Sequence, residues 1–205
     1  PAYVIGVGLA MAAVGLAMLT GVEGTDDLTL VITASVIASL GLAPVFTATT
    51  ELIVGSAPLE QAGAASGISE TGSELGGALG IAILGSIGAA VYRSELADLL
   101  PTGVPAEAAG AARDTLGGAV GAAEGLPGQL GSSLVEAAQD AFIQGMRVSS
   151  AIATIVAVAV AVLAVSMLRH VRSGADREAD ADREAAAERD IASDVVVAEA
   201  VPAEC

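Results

Sequence analysis

The sequence predicts an all-α membrane protein with four transmembrane helices, and three observations carry that prediction. Hydrophobic residues fill 54% of the 205 positions and the mean hydropathy is +0.71, whereas a soluble domain keeps about 45–50% apolar residues. The excess is gathered into long uncharged runs, and a run of about 18 or more such residues is what a bilayer crossing requires. Segments of this length cannot be lone strands in lipid, because every backbone group there must be bonded within the segment.

The first span covers about residues 2–22 and meets no charge before Glu23. The second, about 28–50, lies between Asp27 and Glu51. The third, about 61–92, lies in a long helix expected from Pro58 to Arg93 and is apolar mainly from Leu75 onward, with Ser56 a candidate cap and Pro58 in the first turn of that helix. The fourth, about 148–168, is almost entirely Ala, Val and Ile. The first and fourth carry no ionisable group in their apolar cores and are expected to face lipid.

The connections differ in character. Residues 23–27 form a short acidic turn, and 51–57 a second short link. Residues 94–147 form a long extracytoplasmic loop punctuated by Gly and Pro, with short helices expected over 105–124 and 130–147. The second of these gathers Leu134, Ala138, Ala141, Phe142 and Gly145 on one side, as a helix lying on a membrane or protein surface does. The chain thus divides into a membrane part, 1–172, and an acidic tail, 173–205, expected to be partly disordered.

Arg169 and Arg172 end the fourth span and place the tail in the cytoplasm by the positive-inside rule. An even number of spans puts residue 1 on the same side. The rule is opposed at two places: the inner link 51–57 has no base, and Arg93 and Arg147 flank the outer loop. All eight bases are Arg, which with the abundance of Ala, Gly and Val suggests a GC-rich bacterium and its plasma membrane. The chain starts at Pro1 without a basic n-region, so the first span does not read as a signal peptide, and an N-terminal part is expected to be missing.

Several function classes are excluded. A net charge of −16 is the wrong sign for a nucleic-acid binder. The single cysteine, Cys205, permits no disulfide framework or thiolate metal cluster within the chain. There is no phosphate-binding loop, nucleophile elbow or zinc-protease motif, so neither an enzyme nor a metal site is expected. His170 reads as a solvated interfacial group, and the tail acids as an exposed helical face.

The chemistry concentrates in the third helix. Glu70 and Glu74 stand four apart and share a face, continued toward the inner end by Gly63 and Gly67. Gly72, Gly76 and Gly80 lie on the other side, a doubled small-residue pattern of the kind that lets helices pack closely. Two carboxylates in a membrane helix are costly unless they meet water, a counter-ion or a bound cation. They are candidates for proton coupling or recognition of a cationic substrate; simple solvation near the inner interface is the alternative. In the second span Thr33, Ser35, Ser39, Thr47, Thr49 and Thr50 could line a polar cavity or bond back to their own helix, and Pro44 is expected to kink it.

The segment from Pro58 to Gly67, the pair Glu70-Thr71 and the run from Glu74 to Ile87 resemble the penultimate helix of the 14-helix drug:proton antiporters. These are the EmrB/QacA-like members of the major facilitator superfamily. Residues 112–119 and 141–146 are similar to the same family. The resemblance implies the C-terminal part of a major facilitator fold, helices 11 to 14 of a chain more than twice as long, with the second and third segments lining the cavity. It further implies proton-coupled export, with the proton gradient and no cofactor as energy source, and a small cationic or amphipathic substrate. Glu70 and Glu74 would then serve coupling or recognition, the missing N-terminal helices would be obligatory partners, and this segment alone would not transport. The competing expectation is a stand-alone four-helix membrane scaffold or subunit associating through Gly72, Gly76 and Gly80.

Overall fold

The computed structural model describes residues 2–24 and 26–168. They form six α-helices: α1 (Ala2–Leu19), α2 (Leu28–Ser56), α3 (Ala62–Leu99), α4 (Ala106–Asp114), α5 (Leu116–Ala123) and α6 (Gly128–Leu168), with a 3₁₀ turn at Leu59–Gln61. The expected tail, 173–205, with Arg172 and His170, lies outside the described residues. Three helices, α2, α3 and α6, are long and apolar enough to cross a membrane, and α1 is a shorter apolar helix. Only 6% of the most apolar stretch of α3, and 6% of that of α6, is buried. Helices so apolar and so little covered need a non-aqueous surrounding, which makes this a multi-pass membrane protein.

The four apolar helices pack in the order α2, α1, α6, α3. Small residues set the first contact. A Cβ on Gly8 would lie 2.6 Å from the Gly41 carbonyl oxygen, and one on Gly15 equally close to that of Ala34, so the α1 and α2 backbones touch where side chains would separate them. On its other side α1 meets α6: Ile5 and Leu9 pack near Ala161 and Ala164, and the Arg147 Nε–H donates to the Thr20 carbonyl at 2.9 Å. The expectation that α1 faces lipid is therefore only partly right. Ala12 and Ala13 are buried, and the lipid-directed side is the strip that includes Tyr3, Val7 and Val14.

The region expected to lie outside, 94–147, departs most from expectation; outer and inner denote the two ends as the charge pattern of the sequence assigns them. The helix expected over 130–147 and the span expected over 148–168 are one continuous helix, α6. Nothing between Arg147 and Ser150 breaks a helix, and hydropathy changes there while the backbone does not. The Leu134, Ala138 and Ala141 face is fully buried, as its spacing suggested, and of the two expected surfaces, membrane or protein, it lies on protein: Tyr92 and Leu96 of α3, Ala112 of α4 and Ala119 of α5 complete a small core with it. Phe142 points out of that core. The helix expected over 105–124 is two helices, divided at Thr115, which is extended (φ −156°, ψ 157°) and whose hydroxyl accepts from the Gly118 N–H at 2.9 Å. Thr115 is thus the N-cap of α5. We call this assembly of α4, α5 and the outer ends of α3 and α6 the outer cap.

At the inner side, α2 continues to Ser56, so the expected link 51–57 shrinks to little more than Ala57 and Pro58. Ser56 does not cap α3, because its hydroxyl donates back to Ile53 at 2.8 Å. The helix runs unbroken through Pro44.

Candidate functional site

α3 is 38 residues long, roughly 57 Å at 1.5 Å per residue, well beyond a bilayer core. It is held at one end only. Ser149 Oγ donates to the Leu84 carbonyl at 3.1 Å, and a Cβ on Gly145 would lie 2.7 Å from the Gly88 carbonyl oxygen. Four residues further, the buried Tyr92 hydroxyl donates to the Ala112 carbonyl at 2.6 Å, tying α3 to α4. From Leu84 outward α3 is thus locked to α6 and the cap.

Toward the inner end the same helix is only loosely approached by α2. Glu70 and Glu74 are exposed, as are all residues from 70 to 79. Their spacing places both carboxylates on one face, and no other charged side chain of α3 lies between Glu74 and Arg93. In a regular helix eighteen residues make five whole turns, so Glu70 lies directly below Gly88, and Glu74 below Tyr92. The acidic face is therefore the inward continuation of the face that packs on α6.

Gly72 turns the other way, into a groove of about 340 Å³ shared with Phe46, Thr49 and Thr50 of α2 and with Ile68, Ser69 and Ser73 of α3. A Cβ on Gly72, Gly76 or Gly80 would have nothing within 4 Å. No described helix packs on these glycines, and the face is open. Of the α2 hydroxyls, Thr33, Ser35 and Thr47 bond back to the carbonyls of Thr29, Val31 and Ala43. Thr49 and Thr50 line the groove.

A second cavity, of about 460 Å³, opens at the outer end, where Leu84, Gly85, Gly88 and Ala89 of α3 face Phe142, Gly145 and Met146 of α6 beneath Asp114, Thr115 and Leu116. Sequence reasoning missed this cavity and its rim. It also missed the two long-range ties, Tyr92 to Ala112 and Arg147 to Thr20. The available signal was the placement of Tyr92 and Arg147 at the ends of apolar runs, which spacing alone cannot pair.

Curated proteins provide the comparison. Over 154 residues the chain is 36% identical to the multidrug efflux pump LfrA of Mycolicibacterium smegmatis, a match covering 75% of this chain and 30% of that protein. The chain is similar to drug-export proteins. A tetracenomycin C resistance and export protein of Streptomyces glaucescens is 35% identical over 163 residues, 77% of this chain and 30% of its own length. The methyl viologen resistance protein SmvA of Salmonella typhimurium is 40% identical over 97 residues, 47% of this chain and 19% of its own length. The chain therefore spans about 30% of the length of the first two relatives. No family model matches it, and no solved structure does. By name these relatives are an efflux pump and resistance or export proteins, not enzymes.

Proposed function

We propose that this chain forms helices 11 to 14, the C-terminal part, of a proton-coupled drug exporter of the 14-helix, EmrB/QacA-like family in the major facilitator superfamily. The reading is carried by the similarity to export and resistance proteins across three quarters of the chain. It is supported by the exposed inner half of α3, which holds two carboxylates and an open glycine face where a larger bundle would close. In this reading all four apolar helices span the bacterial plasma membrane, with the C-terminus in the cytoplasm. The helices that complete the bundle belong to the remainder of a longer transporter, and the part described here does not transport alone.

The substrate is a small cationic or amphipathic molecule, a class to which methyl viologen, in the name of one relative, belongs. No cofactor is needed: a proton entering from outside is exchanged for substrate leaving the cytoplasm as two helical bundles rock about a central site. Glu70 is the principal exchange group, neutral when protonated and able to hold a cation when ionised, with Glu74 one turn away as its neighbour.

The test is dye efflux from cells expressing the full-length gene, wild type against Glu70→Gln, over a range of external pH. We expect the variant to reach the membrane normally and lose about tenfold or more of its pH-driven efflux, the scale on which charge-specific contacts act. Undiminished efflux of several cations would remove Glu70 from the transport path. Full-length protein that exports nothing, yet assembles through Gly72, Gly76 and Gly80, would favour the scaffold reading.

A further inference from the structure

The outer cavity has the composition of a binding site rather than of a packing defect. Its volume, about 460 Å³, falls in the range of about 300–1,000 Å³ that holds a drug-sized molecule. Its walls are Leu84, Ala89, Leu116, Phe142 and Met146, and an aromatic ring beside a thioether makes an adaptable surface for flat apolar bodies. The glycines of α3 and α6 leave the floor open.

The polar groups around it are nearly all committed. Tyr92 Oη donates to Ala112, Ser149 Oγ donates to Leu84, and Thr115 Oγ1 accepts from Gly118. Among the described residues Asp114, exposed at the rim, is the remaining lining residue with a polar side chain, and it makes no such bond. The cap around it is itself acidic: between residues 94 and 147 the acids outnumber the bases seven to two, the bases being Arg113 and Arg147. An apolar slot with one uncommitted carboxylate in an acidic surrounding selects an organic cation with a flat apolar body.

The cavity also lies on the α3 face that carries the two glutamates. Gly88 stands five whole turns above Glu70, about 27 Å along the helix axis. We propose that the cavity beneath Asp114 is an outer subsite for amphipathic organic cations, reached along the same α3 face after the substrate leaves Glu70 and Glu74. The position of the subsite on an exit path rests on the export reading given above. Occupancy of the cavity by a cation does not.

The experiment uses the full-length protein in lipid nanodiscs, with ethidium as probe and its uncharged core, phenanthridine, as control. Gly85→Phe fills the cavity without displacing backbone, because a Cβ on Gly85 meets nothing within 4 Å. Asp114→Asn removes the charge at constant size. We expect Gly85→Phe to weaken both probes, and Asp114→Asn to weaken ethidium about tenfold while phenanthridine changes less than about twofold. In a cysteine-free background, Ala89→Cys should react with a maleimide, and ethidium should slow that reaction. Unchanged ethidium binding in both variants would overturn the proposal. So would maleimide labelling at residue 89 that ethidium does not slow, or a residue 89 that never labels because protein or lipid covers the cavity. Protection at residue 89 in a protein that exports no dye would sink the export reading and leave the subsite standing.

Discussion

At their outer ends α3 and α6 close on each other through Gly88 and Gly145, while further inward the same two helices expose Gly72, Gly76 and Gly80 on one and Ile155, Val156, Val162 and Leu163 on the other. Both halves are built from small and aliphatic residues, so composition does not separate them. The difference lies in what else is near. The outer half has two short helices, α4 and α5, to cover it and a tyrosine to fasten them. The inner half of α3 has no described neighbour beyond its loose approach to α2, and that of α6 meets α1 through Ala161 and Ala164. A glycine stripe is thus an opportunity for close packing, and a partner decides whether it is used.

That contrast can be broken deliberately. The largest effect is expected from Gly145→Leu, whose Cβ would press on the Gly88 carbonyl at 2.7 Å. We expect it to cost about 1–3 kcal/mol or more and to lower the yield of folded protein, read by thermal unfolding in detergent. Tyr92→Phe comes next. It leaves the buried Ala112 carbonyl without its donor, a loss of about 1–3 kcal/mol, and should speed hydrogen exchange in α4 while leaving α1 and α2 unchanged. Thr115→Ala removes the α5 cap and should cost about 1 kcal/mol, with faster proteolysis at the α4–α5 junction as its readout. Gly76→Leu sharpens the comparison from the other side. In the 205-residue chain it should change the unfolding temperature hardly at all, because nothing lies near its Cβ. A large destabilisation there would mean that a second copy already covers this face.

The sequence made the apolar helices legible, because hydropathy and length decide a bilayer crossing almost alone. It also placed Glu70 and Glu74 on one face and Gly72, Gly76 and Gly80 on another, since both follow from 3.6 residues per turn. Boundaries were less legible. The change from the amphipathic 130–147 to the apolar 148–168 looks like the end of an element, yet it is only a change of surroundings along one rod. The burial of Leu134, Ala138 and Ala141 was visible in their spacing, but not what buries them. Tyr92 and Ala112 are twenty residues apart in sequence and Arg147 and Thr20 are 127 apart, and no local pattern encodes such pairings. The cavity beneath Asp114 was hidden for the same reason: it belongs to four helices at once.

The continuity of α6 has a mechanical consequence. From Gly145 to its inner end the helix runs 23 residues, roughly 35 Å, and the arm on the outer side from Gly145 back to Gly128 is about 25 Å. With Gly88 and Gly145 as fulcrum, a tilt of about 10° would swing the inner tip by roughly 6 Å and the outer tip by roughly 4 Å in the opposite sense. Had the chain been jointed at Arg147, the joint would have absorbed that swing. As a single unhinged lever, α6 delivers any rocking of the membrane segment to the cap without slack.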